Sequence, residues 1–429
     1  METQTAARIW HSTKPLLKAF IIIAMVLLLL IPAYFVKELV LEREASQQEA
    51  TREISTRWAG RQNITGPVLM VPYTETVNTP RGESVVKKTA WFLPESLNVD
   101  ADVKPEKKHR GIYQVMLYSS TVRLTGRFKP LQLAGLGITP ESVDWKNITV
   151  AMGITDPRGV GGELNIRWNG QDLPMSVATG SQPMLGAGFA APVPVADGAP
   201  VEFSVSLSLN GSEQLLFTPV GRETTVKMAS GWPDPSFTGS VLPMHQVSDT
   251  GFKATWKSLP HNRAYPQAWK EAEYNLQASS FGTNLFIQVN NYQKILRSVK
   301  YAFLCIVLTF AAFYVVETNS KKAIHPVQYA LVGLALILFY TLLLSISEYT
   351  GFDIAYLIAS VATVGLITWF VKGLLQSTRL TSIIAVVMLL LYSYVFCTLQ
   401  LQDYSLLLGS VGLFIALGVV MKFSKKLQW

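Results

Sequence analysis

Charged residues are scarce in this sequence of 429 residues, and their scarcity limits the kind of protein that it can be. Asp, Glu, Lys and Arg together make up 15% of the chain, against about 25% of a typical soluble protein. The mean hydropathy is positive, +0.27. Together the two values exclude a fully soluble enzyme and an intrinsically disordered protein.

Cysteine and histidine are also rare. The chain has two cysteines, Cys305 and Cys397, which excludes a disulfide framework. Its five histidines form neither an H-x-H nor an H-E-x-x-H pair, so the sequence predicts no metal site and no cofactor. Because neither cysteine lies in residues 37–299, we expect core packing alone to hold that region together.

The charges that are present are concentrated in one part of the chain. Residues 37–300 contain 27 Lys/Arg and 24 Asp/Glu, whereas the remaining 165 residues contain 10 and 5. The charge-poor remainder includes an apolar run, residues 19–36, which as a helix spans about 27 Å, close to the thickness of a bilayer core. We assign residues 16–36 to a transmembrane helix that follows a cytoplasmic tail, residues 1–15.

A cleavable signal peptide is the alternative interpretation of this first run. Such a peptide has a shorter apolar region, which ends in small residues before the cleavage site. Here the run continues directly into Lys37 and Glu38 and a charged, helix-favouring stretch. The sequence therefore favours an uncleaved membrane anchor.

A second apolar block occupies residues 300–429 and predicts a bundle of five transmembrane helices. The predicted helices are 301–316, 327–346, 354–371, 381–401 and 405–421. The acidic residues of the block lie near the predicted helix ends, so no ion pathway is predicted. Ala355, Ala359 and Thr363 recur at every fourth position, which is typical of closely packed helices.

The orientation of these helices follows from the basic residues in the tails and short loops. All ten of them fall on one side of the predicted membrane: Arg8, Lys14, Lys18, Lys321, Lys322, Lys372, Arg379, Lys422, Lys425 and Lys426. The positive-inside rule places that side in the cytoplasm. We therefore expect both termini to be cytoplasmic and residues 37–299 to be exported.

The exported region is predicted to be rich in β-strands after a helical stalk, residues 37–58. Short segments with many β-branched or aromatic residues predict strands at 68–73, 84–93, 113–128, 147–154, 202–209, 215–220, 224–229 and 252–256. Turn signals between them favour antiparallel, sandwich-like sheets, and the whole chain is therefore an α+β membrane protein. Residues 175–200 are rich in Gly, Ala and Pro and predict a loop or linker between two subdomains.

Motifs for chemistry are nearly absent from this region. Ser84 and Lys87 match the S-x-x-K pattern of some acyl enzymes, but a chain of this length contains such a match by chance. No Walker motif or basic stripe indicates an ATPase or a nucleic-acid partner. We predict no catalytic residue, and we expect a protein without enzymatic activity.

Two loops are the best candidates for an interaction surface, because Pro, Gly and exposed aromatics often shape loops that bind. The candidate residues are Asp156, Arg158 and Gly159 in the first loop, and Trp232, Pro233, Pro235 and Phe237 in the second. A purely structural role for both loops is the alternative.

Several unusual strings, taken together, resemble a known family. They are G-P-V-L-M-V-P at 66–72, W-F-L-P-E-S-L-N-V-D at 91–100, D-P-R-G at 156–159, W-P-D-P-S-F-T-G at 232–239, H-P-V-Q-Y-A-L-V-G-L at 325–334 and L-S-I-S-E-Y-T-G-F at 344–352. In this order and topology the chain resembles the bacterial inner membrane protein CreD family over nearly its whole length, least closely around 259–290 and in the last two helices.

The resemblance implies a multi-pass protein of the Gram-negative inner membrane with residues 37–299 in the periplasm. It implies a link to cell envelope integrity and colicin tolerance, and regulation by a Cre-type two-component system. The family has no established catalytic residue or cofactor to transfer. The expected partners are the lipid bilayer and an envelope protein or cell-wall component. The alternative is the membrane subunit of an envelope transport or export complex with a separate energy source.

Overall fold

A computed structural model describes most of the chain. The described residues are 2–79, 82–178, 184–270, 273–285, 291–320 and 324–401, followed by 407–412, 414, 418 and 421. The chain divides into two compact units, one formed by Met1–Gln48 with Val289–Trp429 and the other by Glu49–Gln288. We call them the helical unit and the β unit.

Long apolar helices make up the helical unit, as its hydropathy predicts. The helices are α1 Glu2–Trp58, α2 Asn291–Lys300, α3 Ala302–Ser320, α4 Pro326–Thr350, α5 Phe352–Leu375 and α6 Thr378–Gln400. Parts of α1, α4, α5 and α6 are long and apolar enough to cross a membrane, and α2 with α3 forms a fifth candidate that is bent by 43°. Of the predicted helix at 405–421, residues 407–412, 414, 418 and 421 are described and are helical, and the others lie outside the described residues.

The helices extend beyond the apolar stretches that predicted them, since hydropathy marks the apolar part of a helix and not its end. His325 caps α4: its backbone N–H donates to Gln328 Oε1 (2.8 Å), and its Nδ1 accepts from the Val327 N–H (3.3 Å). A single residue, Gly351 with φ of +82°, separates α4 from α5. Ala355 and Ala359 are fully buried, as expected for small residues in close helix packing.

The helical stalk predicted at 37–58 is helical, because α1 continues without a break to Trp58. Glu53 and Arg57 form the expected ion pair between positions i and i+4, with an N···O distance of 2.9 Å.

The described residues of the β unit form 18 strands. In chain order they are β1 Gln62–Thr79, β2 Gly82–Phe92, β3 Ser96–Arg110, β4 Tyr113–Phe128, β5 Thr149–Ile154, β6 Val160–Gly161, β7 Asn165–Trp168, β8 Gln171–Pro174, β9 Ser176–Val177, β10 Gly188–Pro192, β11 Val201–Ser212, β12 Gln214–Thr218, β13 Glu223–Ser230, β14 Ser236–Gly239, β15 Met244–Ser248, β16 Gly251–Ser258, β17 Ala268–Lys270 and β18 Phe281–Asn284.

The strands form two sheets whose facing side chains build one core. The first sheet has the order β14-β18-β12-β1-β5-β10-β9, with β2 paired to β1 and β17 to β2. The second has the order β15-β16-β13-β3-β4-β11-β7-β8, with β6 paired to β11. Two pairs, β1 with β12 and β13 with β3, are parallel, so the prediction of antiparallel pairing holds for the other pairs only.

Alternation of apolar and polar residues is the sequence pattern that predicts strands most clearly. In β11 the apolar residues from Val201 to Leu209 are buried and the intervening Glu and Ser residues are not, as predicted. The central strand β3 was not predicted although its first half also alternates, because its outward positions there are Asn and Asp, which are depleted in strands. Leu97, Val99, Ala101 and Val103 of β3 are nevertheless buried.

Residues 175–200 were predicted to be a loop or a linker between two subdomains, and the linker interpretation was wrong. Strands β9 and β10 lie in this segment and pair within the first sheet. Leu185, Ala191 and Val193 are buried in the common core, so the segment belongs to the β unit and does not divide it. Gly and Ala are abundant here because the chain passes close to its neighbours: a Cβ on Gly188 would lie 1.9 Å from the carbonyl oxygen of Met152.

We predict that Trp256→Ala strongly destabilises the β unit. Trp256 is fully buried on β16, with its ring stacked 6.0 Å from that of Phe281. Truncating a buried tryptophan costs about 3–5 kcal/mol because it leaves a cavity. Urea unfolding of the full chain in detergent, followed by far-ultraviolet circular dichroism, measures the loss. The neighbouring Thr255→Ala, on the outer face of the same strand, is the control; equal losses for the two variants would contradict the prediction.

Candidate functional site

The first candidate loop, residues 156–159, is bonded to the segment that follows α1. Asp156 Oδ2 accepts a hydrogen bond from the Gly60 N–H (2.9 Å). The Gln62 side chain bonds both backbone groups of Asp156: Oε1 accepts from its N–H and Nε2 donates to its carbonyl, each at 3.0 Å. The loop therefore fixes the point at which the chain passes from α1 into β1.

Arg158 extends this joint to the last turn of α1. Its Nε and Nη2 donate to Asp156 at 2.8 and 2.7 Å, and its Nη1 donates to the Thr56 carbonyl at 2.8 Å. Carbonyls in the last helical turn have no partner within the helix, and a cation there also offsets the helix dipole. Arg158 thus closes the end of α1 while its side chain stays 61% exposed.

Gly159 completes the joint because no side chain fits there. A Cβ at this position would lie 2.3 Å from the Asn210 carbonyl oxygen and 2.5 Å from Gln62 Nε2. The hydrogen bonds from Arg158 and the Gly60 N–H lower the pKa of Asp156 to about 2, the bond from Arg158 being the largest cause. All three predicted residues of the loop thus have structural contacts, and their role in binding stays a prediction.

The second candidate segment, residues 232–237, crosses from β13 in the second sheet to β14 in the first. Trp232 is buried, its Nε1 donates to the Asp234 carbonyl (2.8 Å), and Lys107 Nζ lies 5.3 Å from its ring centroid. At the other end, the ring of Phe237 lies 5.7 Å from that of Trp256. Both aromatics therefore anchor the segment in the core.

Between these anchors, Pro233 and Pro235 are half-buried and Asp234 is exposed. Among the described residues, no hydrogen bond, ion pair or ring contact joins this segment to the 156–159 loop. The two candidate loops are therefore separate places on the β unit.

The outer face of the second sheet carries a polar groove that sequence reasoning did not identify. It has a volume of about 500 Å³ and is lined by Arg123, Thr125, Asn165, Arg167, Asp172, Ser204, Val205 and Ser206. Arg167 binds Asp172 through two parallel hydrogen bonds of 2.9 and 3.1 Å. The alternating serines of β11 signal an outward polar face, but only the strand order shows what lies beside them.

The remaining chemical candidates are dispersed. His109, His245 and His261 lie on β3, on β15 and in a short 3₁₀ turn, and no group of three His, Cys, Asp or Glu in the described part of the chain could hold a metal ion. Ser84 and Lys87 are three residues apart on β2 and so point to opposite faces of the sheet. Their spacing on a strand does not form the acyl-enzyme pair.

In the helical unit, a buried carboxylate connects α1 with α3 and α4. Glu317 accepts hydrogen bonds from Lys18 Nζ, from the Ile324 N–H (2.9 Å) and from the Tyr329 hydroxyl (2.9 Å). Lys18 also donates to the Ile324 carbonyl at 3.0 Å. We call these four residues the Lys18 cluster.

A second polar group lies further along α1. Arg43 is 3.9 Å from Glu348 at the end of α4, and Glu348 accepts from the Tyr292 hydroxyl at 3.4 Å. We call these three residues the Arg43 cluster. In a separate contact, Gln400 at the end of α6 donates to Asp353 at the start of α5 at 2.6 Å. The acidic residues of both clusters lie at helix ends, as predicted from the sequence, but the sequence did not reveal their partners.

We predict that Asp156→Asn makes the β unit less stable at neutral pH and less sensitive to acid. Because the folded-state pKa is depressed from 3.8 to about 2, the carboxylate stabilises the fold above pH 3.8, and that contribution is lost as the pH falls towards 2. Losing charge-assisted bonds to a mostly buried carboxylate costs about 1–3 kcal/mol.

Urea midpoints at pH 7, 5, 4 and 3 measure both effects. Asp172→Asn is the matched control, since it removes an exposed Asp–Arg pair and should change the midpoint little. Identical pH profiles for Asp156→Asn and the unmodified chain would contradict the prediction.

Comparison with known proteins identifies the family. The sequence pattern of the inner membrane protein CreD family matches residues 14–429. The inner membrane protein CreD of Escherichia coli (strain K12) is 32% identical over 413 residues, which cover 94% of this chain and 91% of that protein.

Solved structures add no information on function. An M1 zinc metallopeptidase of Deinococcus radiodurans aligns with a TM-score of 0.19 at 10% identity, over 39% of this chain and 38% of the peptidase. A mutant of the same peptidase gives a TM-score of 0.20 at 11% identity. Such low scores do not indicate a shared fold. The sequence relationship, in contrast, covers nearly the whole chain, which therefore belongs to the CreD family of inner membrane proteins.

Proposed function

We propose that this chain is a non-enzymatic protein that supports the integrity of the bacterial envelope. Its helices cross the inner membrane with both termini in the cytoplasm. Residues 37–299 lie in the periplasm, where the β unit binds an envelope protein or a cell-wall component. Tolerance of colicins and of envelope stress, and control by a Cre-type two-component system, are the wider roles that the family resemblance supports.

One observation supports this proposal more than any other: the chain leaves the helical unit within α1, after Gln48, forms two sheets around a core of their own and returns to the helical unit before α2. A domain with its own closed core, attached at both ends to apolar helices, can be presented at a membrane surface without crossing it. Its outer polar groove offers hydroxyl groups and a guanidinium for hydrogen bonds to a polar partner.

The spacing of the two polar clusters supports the membrane assignment. Lys18 and Arg43 lie 25 positions apart on α1, which corresponds to about 38 Å along a helix. This length lies between the thickness of the hydrocarbon core, about 30 Å, and that of the whole bilayer, about 40–45 Å. Glu317 of the Lys18 cluster lies in the last turn of α3, shortly before Lys321 and Lys322 in the sequence. By the positive-inside rule, these lysines support a cytoplasmic position for the end of α3.

Complementation of a strain that lacks its own copy tests the proposed role. The full chain should restore resistance to detergent and colicin, whereas a chain without residues 49–288 should restore neither although it reaches the membrane. Thr255→Ala, on the outer face of β16, should complement fully. Restoration by the chain without the β unit would contradict the proposal.

Purification in mild detergent separates this proposal from the transport alternative. Recovery of envelope proteins or cell-wall material with the full chain is the expected result. Stoichiometric recovery of an ATPase would instead show that the chain is the membrane subunit of a transport or export complex.

A further inference from the structure

Strand β15 forms an open edge of the second sheet. In the described part of the chain it pairs with β16 alone, in the register Met244 with Thr255, Gln246 with Lys253 and Ser248 with Gly251. All five of its residues are exposed. Next to it, Leu242 is 80% exposed, and on it Met244 is 77% exposed.

The hairpin register shows which backbone groups of β15 face outwards. Asp249 and Thr250 form a two-residue turn, so Ser248 and Gly251 are a hydrogen-bonded pair. The alternation of an antiparallel ladder then directs the N–H and C=O groups of Met244 and Gln246 towards β16. Those of His245 and Val247 point away from the sheet, and no described residue hydrogen bonds to them.

Two other open edges of the unit are protected with charge or proline, whereas the edge strands β9 and β14 lack both but are only two and four residues long, and short edge strands are themselves protected. Strand β8, at the opposite end of the second sheet, contains Asp172 and Pro174. The part of β2 that pairs on one side only contains Glu83, Lys87 and Lys88. Strand β15 contains neither a proline nor an Asp, Glu, Lys or Arg residue.

The unpaired groups of β15 are complementary to a second β15. If two copies run antiparallel about Gln246, His245 of one copy lies opposite Val247 of the other. Both are outward-facing residues, so each pair exchanges two backbone hydrogen bonds. A shift that instead centres the pairing on His245 places Pro243, which has no N–H, opposite Val247. The central register also places no like charges opposite each other.

We propose that two copies of this chain associate through β15, which joins their second sheets into one continuous sheet. The exposed Leu242 and Met244 flank the new strand pair and become partly covered by it. A contact of five residues per strand is smaller than a standard interface of about 1,600 Å², so the dimer is weak and reversible. Confinement of both copies to one membrane raises their effective concentration and favours the contact. This association is independent of the proposed envelope role.

Disulfide crosslinking of the full chain in native membranes tests the association. Cys305 and Cys397 are first replaced by serine, and Gln246→Cys is then introduced at the predicted two-fold axis. A central pair that is not hydrogen bonded has Cα atoms about 4.5 Å apart, within the range that a disulfide bridges. Mild oxidation should give at least tenfold more dimer than Ser206→Cys, an exposed position on the face of the same sheet.

A proline variant shows whether strand pairing causes the crosslink. Val247→Pro removes an outward N–H and leaves the ladder with β16 intact, which edge strands tolerate. Added to Gln246→Cys, it should reduce the dimer to the level of the Ser206→Cys control. The proposal is overturned if Gln246→Cys gives no more dimer than that control, if it crosslinks only to a different protein, or if Val247→Pro leaves the dimer unchanged.

Discussion

A carboxylate buried among helices needs a partner, and the structure of the helical unit depends on how Glu317 obtains one. Lys18, 299 positions away in the sequence, donates to it, together with Tyr329 and the backbone of Ile324. Removing one partner of such a pair leaves an uncompensated charge, which is far more costly than never having buried the pair. This contact joins the first apolar helix to the helices of the C-terminal third. The two parts of the helical unit are therefore held together although the whole β unit separates them in the sequence.

Much of this architecture could be predicted from the sequence, because the helical unit and the β unit have different patterns of apolar residues. Apolar runs identified the membrane-type helices, and a period of two identified strands such as β11. The prediction for β4, residues 113–128, agrees with the structure at both ends. Strand β3 was missed since its buried positions are Leu, Val and Ala separated by Asp, a pattern that has little β-propensity until neighbouring strands cover one face.

The candidate site was predictable only in part. The sequence identified the 156–159 loop as unusual, but its contacts with Thr56 and Gly60 depend on a helix end about a hundred positions earlier. For the 232–237 segment, composition could not distinguish aromatics that bind a partner from aromatics that anchor a crossover, and the structure shows Trp232 and Phe237 as anchors. The open edge at β15 was invisible in the sequence, because an edge is a property of strand order and not of any one strand.

In the proposed topology, the β unit and the loop between α5 and α6 lie on opposite sides of the membrane. Single cysteines at Ser206 on β11 and at Thr378, in a chain whose Cys305 and Cys397 are replaced by serine, test this arrangement directly. A small membrane-impermeant maleimide added to intact cells should label Ser206→Cys and spare Thr378→Cys until the inner membrane is opened. Equal labelling of both positions in intact cells, or labelling of Thr378→Cys alone, would contradict it.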